Sequence, residues 1–308
     1  MITYSIGLKN KFRGITVREG MLYEGPAGWA EWSPFLDYDD ATCVSWLRAA
    51  REAAEVGWPA PVRDRVPVNC TVPAVGPEKA AEIVRASGCS TAKVKVAEPG
   101  QTLADDLERV EAVRDAIGSG QVRIDANGLW SVDQAVQNLK QLQRFDLEYV
   151  EQPTATVEEL AEVRRRTDVP VAADESIRRA EDPLRVKKLD AADIAVLKVQ
   201  PIGGVRACLD IAERIGLPVV VSSALETSVG IAAGVALAAA LPELPYACGL
   251  ATVSMFTREV STEPLLATDG FLPVRRVVPD PELLQQARAD ADRTRVWEER
   301  LSRVRSAG

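Results

Sequence analysis

A chain of 308 residues, 46% hydrophobic and 27% charged, can bury a core large enough for one big domain, or for a big one with a small companion. Its formal charge of −8 argues against nucleic acid or an anionic membrane surface as the main partner, since both need basic surface to displace counterions. The five cysteines (Cys43, Cys70, Cys89, Cys208, Cys248) are odd in number, scattered and without a CxxC pair, which argues against a disulfide framework or a thiolate metal site; no histidine is present to carry protons near neutral pH.

The N-terminal MITYSIGLKNKFRG has no apolar core of signal-peptide length, and the longest apolar run, VGIAAGVALAAALP, is too short to span a bilayer. A cytoplasmic protein is expected, with a small-molecule partner, no nucleic acid, no membrane and no obligatory protein partner. GITVREGMLYEG alternates as strands do, GPAG supplies turn residues, and DDATCVSWLRAAREAAEVGW has helical spacing behind an Asp cap. Residues 1–65 therefore read as a small α+β unit that ends in the Pro-rich linker WPAPVRDRVP.

Over 66–260 the pattern changes to short apolar runs separated by amphipathic helices: VPVNCTV, AKVKV, VRIDAN, LEYVEQP, VPVAADES, IAVLKVQ, LPVVVSS and LPYACGL, eight candidate strands. Capping boxes at Ser131 with Gln134 and Thr156 with Glu159 mark helix starts between them. From Lys95 to Asp125, Glu151, Asp174, Lys198 and Ser222 the spacings are 30, 26, 23, 24 and 24 residues, each enough for one strand, one helix and two loops. Such alternation predicts a parallel sheet closed as an α/β fold, a (β/α)8-type barrel, and no GxGxxG follows the first strand to favour a dinucleotide-binding sheet. Residues 261–308 carry no further repeat; their charged helix DPELLQQARADADRTRVWEERLSRVR is expected to pack back on the N-terminal unit.

In such a barrel the active site lies at the C-terminal ends of the strands, where Asp125, Glu151 and Asp174 end three successive candidates. Each alone also fits a helix cap or a solvated loop residue. Together at one depth they would repel one another without a cation, and a hard divalent ion such as Mg²⁺ suits three carboxylates. Lys93 and Lys95 share one side of the strand before them, and Lys198 follows on the strand after. These lysines fit ion pairs with the carboxylates as well as they fit catalysis. Work as a base requires a lowered pKa, because keeping an unperturbed lysine neutral at pH 7 costs about 4.6 kcal/mol.

The ordered set KVK, RIDAN, EYVEQP, ADES and LKVQPIGG resembles the enolase superfamily, in the subgroup of muconate lactonizing enzymes with a lysine on each face of the site. The likeness covers nearly the whole chain, and FRGITVREGMLYEGPAGWAEWSPF is similar to the N-terminal part of a dehydrating branch of that subgroup. The resemblance implies that the N-terminal part and the C-terminal segment form a smaller α+β capping domain. It implies that Asp125, Glu151 and Asp174 bind Mg²⁺, with Mn²⁺ as a substitute, that Lys95 is the acid/base, that Lys198 stabilises the enolate from the opposite face, and that Lys93 tunes Lys95. The implied reaction removes a proton α to a metal-bound carboxylate and expels a hydroxyl as water to leave an aromatic ring.

Substrate contact or ligand orientation is expected of Arg13 in the early loop, Arg123 beside the first ligand, Asn127, Gly203, Gly204, Ser222 and Ser223. Arg13 and Arg123 equally fit surface or structural roles, and the glycine pair fits a plain loop and helix start. An N-succinylamino acid racemase resembles the same template and would use Lys95 and Lys198 as opposed bases. A dipeptide epimerase fits less well, because YACGLATVS lacks the DxD pattern of that family. A metal-free lyase with a Schiff base on Lys198 would leave the three carboxylates without a purpose.

Overall fold

Strand β1 (Ile2–Phe12) pairs with β2 (Ile15–Gly25), and β2 with β3 (Gly28–Trp32), as an antiparallel meander. The computed structural model describes residues 1–179 and 182–308. Phe12 pairs with Ile15, so Arg13 and Gly14 alone make the first turn, with φ of 50° and 78°. Positive φ at both positions matches the right-handed twist of the flanking strands, and it projects Arg13 from the tip. Helix α1 (Asp40–Arg51) starts where the Asp39 carboxylate accepts from the Thr42 N–H, and it buries Cys43, Trp46 and Leu47. The β1 strand was not singled out in the sequence, because its outer half, LKNKF, sets the polar Lys9, Asn10 and Lys11 between Leu8 and Phe12.

After β4 (Arg65–Pro67) the chain alternates: β5 (Cys70–Val72), α2 (Pro77–Ser87), β6 (Thr91–Lys95), α3 (Leu103–Ile117), β7 (Gln121–Asp125), α4 (Val132–Leu142), β8 (Leu147–Glu151), α5 (Val157–Arg166), β9 (Val171–Ala173). Two single-turn helices, α6 (Glu175–Arg178) and α7 (Arg185–Lys188), lead to β10 (Ile194–Leu197). Then come α8 (Val199–Ile202), α9 (Val205–Ile215), β11 (Val219–Val221) and α10 (Ser228–Ala240). Both expected capping boxes are present, at Ser131 and Thr156, and a third starts α3 at Thr102 with Asp105. The apolar run of α10 is buried along its length, and no helix among the described residues is long and apolar enough to cross a membrane.

Among the described residues, β5 to β11 pair in parallel in chain order. The ring closes through two residues: Cys248 donates to the Pro67 carbonyl and accepts from Asn69, while Gly249 donates to Val221 and accepts from Ser223. The eighth candidate strand is thus reduced to two bridged residues, in keeping with the barrel. A Cβ at Gly249 would come within 2.7 Å of the Ser222 hydroxyl, so this close approach favours glycine.

The terminal segment returns to the N-terminal unit. β12 (Phe271–Pro273) pairs antiparallel with β4, so the Pro-rich stretch read as a linker ends in a strand. The expected single terminal helix is two, α11 (Pro281–Gln286) and α12 (Ala291–Ala307). Between them the chain lies along β1, where Ser5 N–H donates to Ala287 and Ala289 N–H to Thr3; Asp290 then caps α12. Trp297 of α12 meets Trp32 edge to face with centroids 5.5 Å apart, in a buried contact.

Candidate active site

Strand register sets the depth of the polar residues. Lys95 pairs with Asp125, Asp125 with Glu151, and Glu151 with Ala172, two residues before Asp174. Alternation along each strand then turns Lys93, Lys95, Asp125 and Glu151 to the barrel interior at its C-terminal end. There a cavity of about 640 Å³ opens between the barrel and the N-terminal unit.

The carboxylates of Asp125, Glu151 and Asp174 are at most 1% exposed. Lys93 Nζ lies 2.5 Å from Glu151 and 3.0 Å from Asp125 Oδ2, and Lys95 Nζ lies 2.5 Å from the same Asp125 oxygen. On the far side, Lys198 Nζ lies 2.5 Å from Asp174 Oδ2, and Arg178 Nε lies 2.9 Å from Asp174 Oδ1. Lys95 and Lys198 therefore flank the triad as the spacing predicts. Asn127, at φ 48°, donates its N–H to Asp125 Oδ1 and accepts from Lys95 Nζ, which ties the lysine to the end of β7.

Burial and ion pairing compete at each group. Burial pushes Asp125 up, but Lys93 and Lys95 outweigh it and hold the carboxyl well below the usual range. Asp174 is likewise brought down to about 2, with burial overcome by Arg178 and Lys198. At Glu151 burial prevails over Lys93 and, with Asp125 and Asp174 nearby, lifts the carboxyl to about 7. Burial pushes the Lys93 ammonium down, yet Asp125 and Glu151 hold it well above the usual lysine value. Lys93 is thus a fixed positive neighbour of Lys95.

Three buried carboxylates form a donor set suited to a hard divalent cation. Oε2 of Glu151 is buried with no hydrogen-bond partner among the described residues, an acceptor of the kind a metal would complete. As they stand, no three His, Cys, Asp or Glu side chains among the described residues are grouped to hold an ion, because the lysines draw the carboxylates onto themselves.

Arg13, Asn127, Ser222 and Ser223 line the cavity as expected of substrate-facing residues. Three others do not. Arg123 faces the interior one layer below, fully buried, with Nε 2.5 Å from Glu148, Nη1 2.7 Å from the Ala247 carbonyl and its guanidinium 4.7 Å from the Tyr149 ring centroid. It fills the barrel floor because alternation places it two residues before Asp125. Gly203 and Gly204, at φ 107° and 129°, lie under α1 instead. Arg48 donates to the Ile202 and Gly203 carbonyls, and Glu52 accepts from the N–H groups of Val205 and Arg206. A Cβ at either glycine would run into Arg48 or Glu52, so the pair serves the docking of α1.

The sequence reading missed Tyr38, Glu175, Arg178 and Arg179, which also line the cavity. Arg178 stands four residues after Asp174 in ADESIRR, and that i, i+4 spacing on a helical turn was the available signal. Tyr38 gave none, because its place depends on how the N-terminal unit sits on the barrel.

Comparison with known proteins agrees with this architecture. Residues 77–280 match the family model described as enolase C-terminal domain-like, and residues 3–54 match the one described as enolase N-terminal domain-like. A curated o-succinylbenzoate synthase from Thermobifida fusca (strain YX) is 65% identical over 305 residues, 99% of this chain and 95% of that protein. Muconate lactonizing enzyme from Pseudomonas putida superposes with a TM-score of 0.78 at 20% identity, over 94% of this chain and 98% of that one. Dipeptide epimerase from Enterococcus faecalis V583, solved with Mg and the dipeptide L-Leu-L-Tyr, gives 0.76 at 23%, over 90% and 96%. At such identities the two structures speak for the fold alone. The chain belongs to the enolase superfamily and, within it, to the o-succinylbenzoate synthase family.

Proposed function

We infer that this chain catalyses the o-succinylbenzoate synthase reaction, the dehydration of 2-succinyl-6-hydroxy-2,4-cyclohexadiene-1-carboxylate to 2-succinylbenzoate in menaquinone biosynthesis. The observation that carries the mechanism is the placement of Lys95 and Lys198 on either side of three buried carboxylates. Asp125, Glu151 and Asp174 are the residues that would hold Mg²⁺, or Mn²⁺ in its place. A divalent ion bound there supplies positive charge that stabilises the negative charge growing on the substrate carboxylate as the α proton leaves.

Lys95 takes that proton at Nζ and passes it to the departing hydroxyl, which leaves as water, so one face serves both transfers. The C–H electron pair becomes the third double bond of the ring. Lys198 remains an ammonium on the other face and contributes charge there. Lys93, held positive between Asp125 and Glu151, places a second ammonium on the same face of β6 as Lys95. Asn127 orients Lys95, and Arg13, Ser222 and Ser223 serve as substrate contacts on the cavity wall.

The same reading divides the chain into a capping unit over 1–65, a barrel over 66–260 and a return segment over 261–308, supported by the β12–β4 pair and the Trp32–Trp297 contact. It places the reaction in the cytoplasm with a small carboxylate as the only partner required. The Schiff-base alternative loses support because it would leave the buried carboxylates of Asp125, Glu151 and Asp174 without a purpose. Purified protein incubated with the cyclohexadiene acid and Mg²⁺ should form 2-succinylbenzoate; absence of turnover would overturn the assignment.

A further inference from the structure

Three guanidinium groups converge on one phenol at the cavity wall contributed by the N-terminal unit. Tyr38 Oη accepts from Arg13 Nη2 at 3.2 Å, Arg178 Nη1 at 3.0 Å and Arg179 Nη2 at 3.1 Å. A phenol oxygen offers two lone pairs, so three donors exceed what it can accept, and among the described residues its own proton has no acceptor. Burial pushes the Tyr38 phenol up, but Arg178, Arg13 and Arg179 outweigh it and bring it below its ordinary value, a sign of strong local positive potential. Arg178 is committed elsewhere, to Asp174 and Glu175. Arg13 is partly offset by the exposed Asp37 at 3.2 Å and stacks 3.9 Å from the Phe35 centroid. The cluster is short of one acceptor, and an anionic one suits it.

The spacing from the carboxylate triad is set by Arg178 itself. Its Nε lies 2.9 Å from Asp174 Oδ1 and its Nη1 lies 3.0 Å from Tyr38 Oη, so at most about 8 Å, two hydrogen bonds and one guanidinium width, separates the two oxygens. In the cyclohexadiene substrate six covalent bonds join the ring carboxylate carbon to the succinyl carboxylate carbon, a span of about 6 to 7 Å when partly extended. The ligand's span therefore matches the separation between the triad and Tyr38.

We propose that Tyr38, Arg13 and Arg179 form an anion subsite that takes the second carboxylate of the substrate dianion. The proposal rests on the dehydration reading for the identity of that dianion. It makes the capping wall a discriminator between dicarboxylates and ring monocarboxylates, through charge-assisted hydrogen bonds that are roughly twice as strong as neutral ones.

The test is calorimetric binding, with Mg²⁺ present, of 2-succinylbenzoate and of 2-butanoylbenzoate, in which a methyl replaces the terminal carboxylate. Wild type should prefer the dianion by about tenfold or more, the worth of one charge-assisted contact. Arg179→Gln and Tyr38→Phe should shrink that preference about tenfold while leaving 2-butanoylbenzoate affinity unchanged, and Arg179→Lys should restore part of it. Arg179 is exposed, so its replacement spares the fold. Equal loss of both ligands, or an unchanged preference, would overturn the subsite. Wild type that binds neither acid would overturn the dehydration reading and the subsite with it, whereas tight, equal binding of both acids sinks the subsite alone.

Discussion

Lys95 and Asp125 face each other in register across β6 and β7, with the Nζ of one 2.5 Å from the Oδ2 of the other. Lys93 reaches that same oxygen at 3.0 Å, so a single buried carboxylate holds two ammonium groups. The pairing ties the candidate base to a candidate metal ligand, and a change in the charge at either is felt by the other.

Turnover should therefore depend on a divalent ion. Prolonged chelation is expected to abolish dehydration, and added Mg²⁺ to restore it. Glu151→Gln keeps the shape of the side chain but removes the charge beside its unpartnered Oε2, and it should weaken Mn²⁺ binding by at least about tenfold. Mn²⁺ titration by electron paramagnetic resonance reads that affinity without reference to activity. Full turnover in chelated protein would contradict the assignment of the triad.

Gly204 tests how the barrel holds its cap. Its φ of 129° suits glycine, and a Cβ would displace the Glu52 carboxylate from the first N–H groups of α9. Gly204→Ala is expected to destabilise the protein by about 2 kcal/mol or more in urea unfolding. Mn²⁺ affinity should stay unchanged, because Gly204 does not line the cavity. An unaltered midpoint would show that α1 docks without this contact.

The catalytic end of the barrel was legible because its determinants are local. Strand alternation around Lys93 and Lys95, and one carboxylate per strand end at Asp125, Glu151 and Asp174, can be read from a few residues each. Arg123 was misplaced for a related reason: two residues are one layer in a strand, and sequence does not say which layer opens to solvent. Gly203 and Gly204 read as loop glycines over a ligand, yet what approaches them is α1, some 150 residues earlier in the chain. Tyr38 was invisible, because its contacts with Arg178 and Arg179 arise only when the meander docks on the barrel. The break between α11 and α12 depended on β1, whose edge accepts the intervening residues.

Stability should carry a pH signature from Glu226. Its carboxylate is buried where β11 runs into α10, accepting from the Ala224 N–H at 2.7 Å and from Gln200 at 3.3 Å. Burial, and then the nearby Glu31, lift it from 4.5 to about 7 against the pull of Arg18. A carboxyl whose folded pKa is raised binds more protons folded than unfolded between those values. Its contribution is present below the unfolded pKa and is lost as pH rises through about 7. The loss is on the order of 3 kcal/mol. Glu226→Gln should flatten the fall in unfolding free energy between about pH 5 and pH 8 in urea titrations. Parallel slopes for the two proteins would place the titrating group elsewhere.

The two lysines decide between dehydration and racemisation. In the dehydration, Lys95 handles the proton on its own face while Lys198, paired with Asp174 at 2.5 Å, supplies only charge. Lys198→Arg keeps a cation with altered shape and should retain more dehydration than Lys95→Arg, because a guanidinium cannot serve as a base. The neutral amine that Lys95 supplies has no replacement within reach, since Lys93 is held protonated by Asp125 and Glu151. Lys95→Arg is expected to lose dehydration by at least about a hundredfold, the low end of general-base catalysis. An N-succinylamino acid racemase must exchange protons on both faces, so either substitution would stop it. The measurement is the dehydration rate of both variants, beside deuterium exchange at the α carbon of an N-succinylamino acid in the wild type. Rapid exchange and racemisation with negligible dehydration would overturn the assignment. Equal loss in the two variants would mean that Lys198 moves a proton as well.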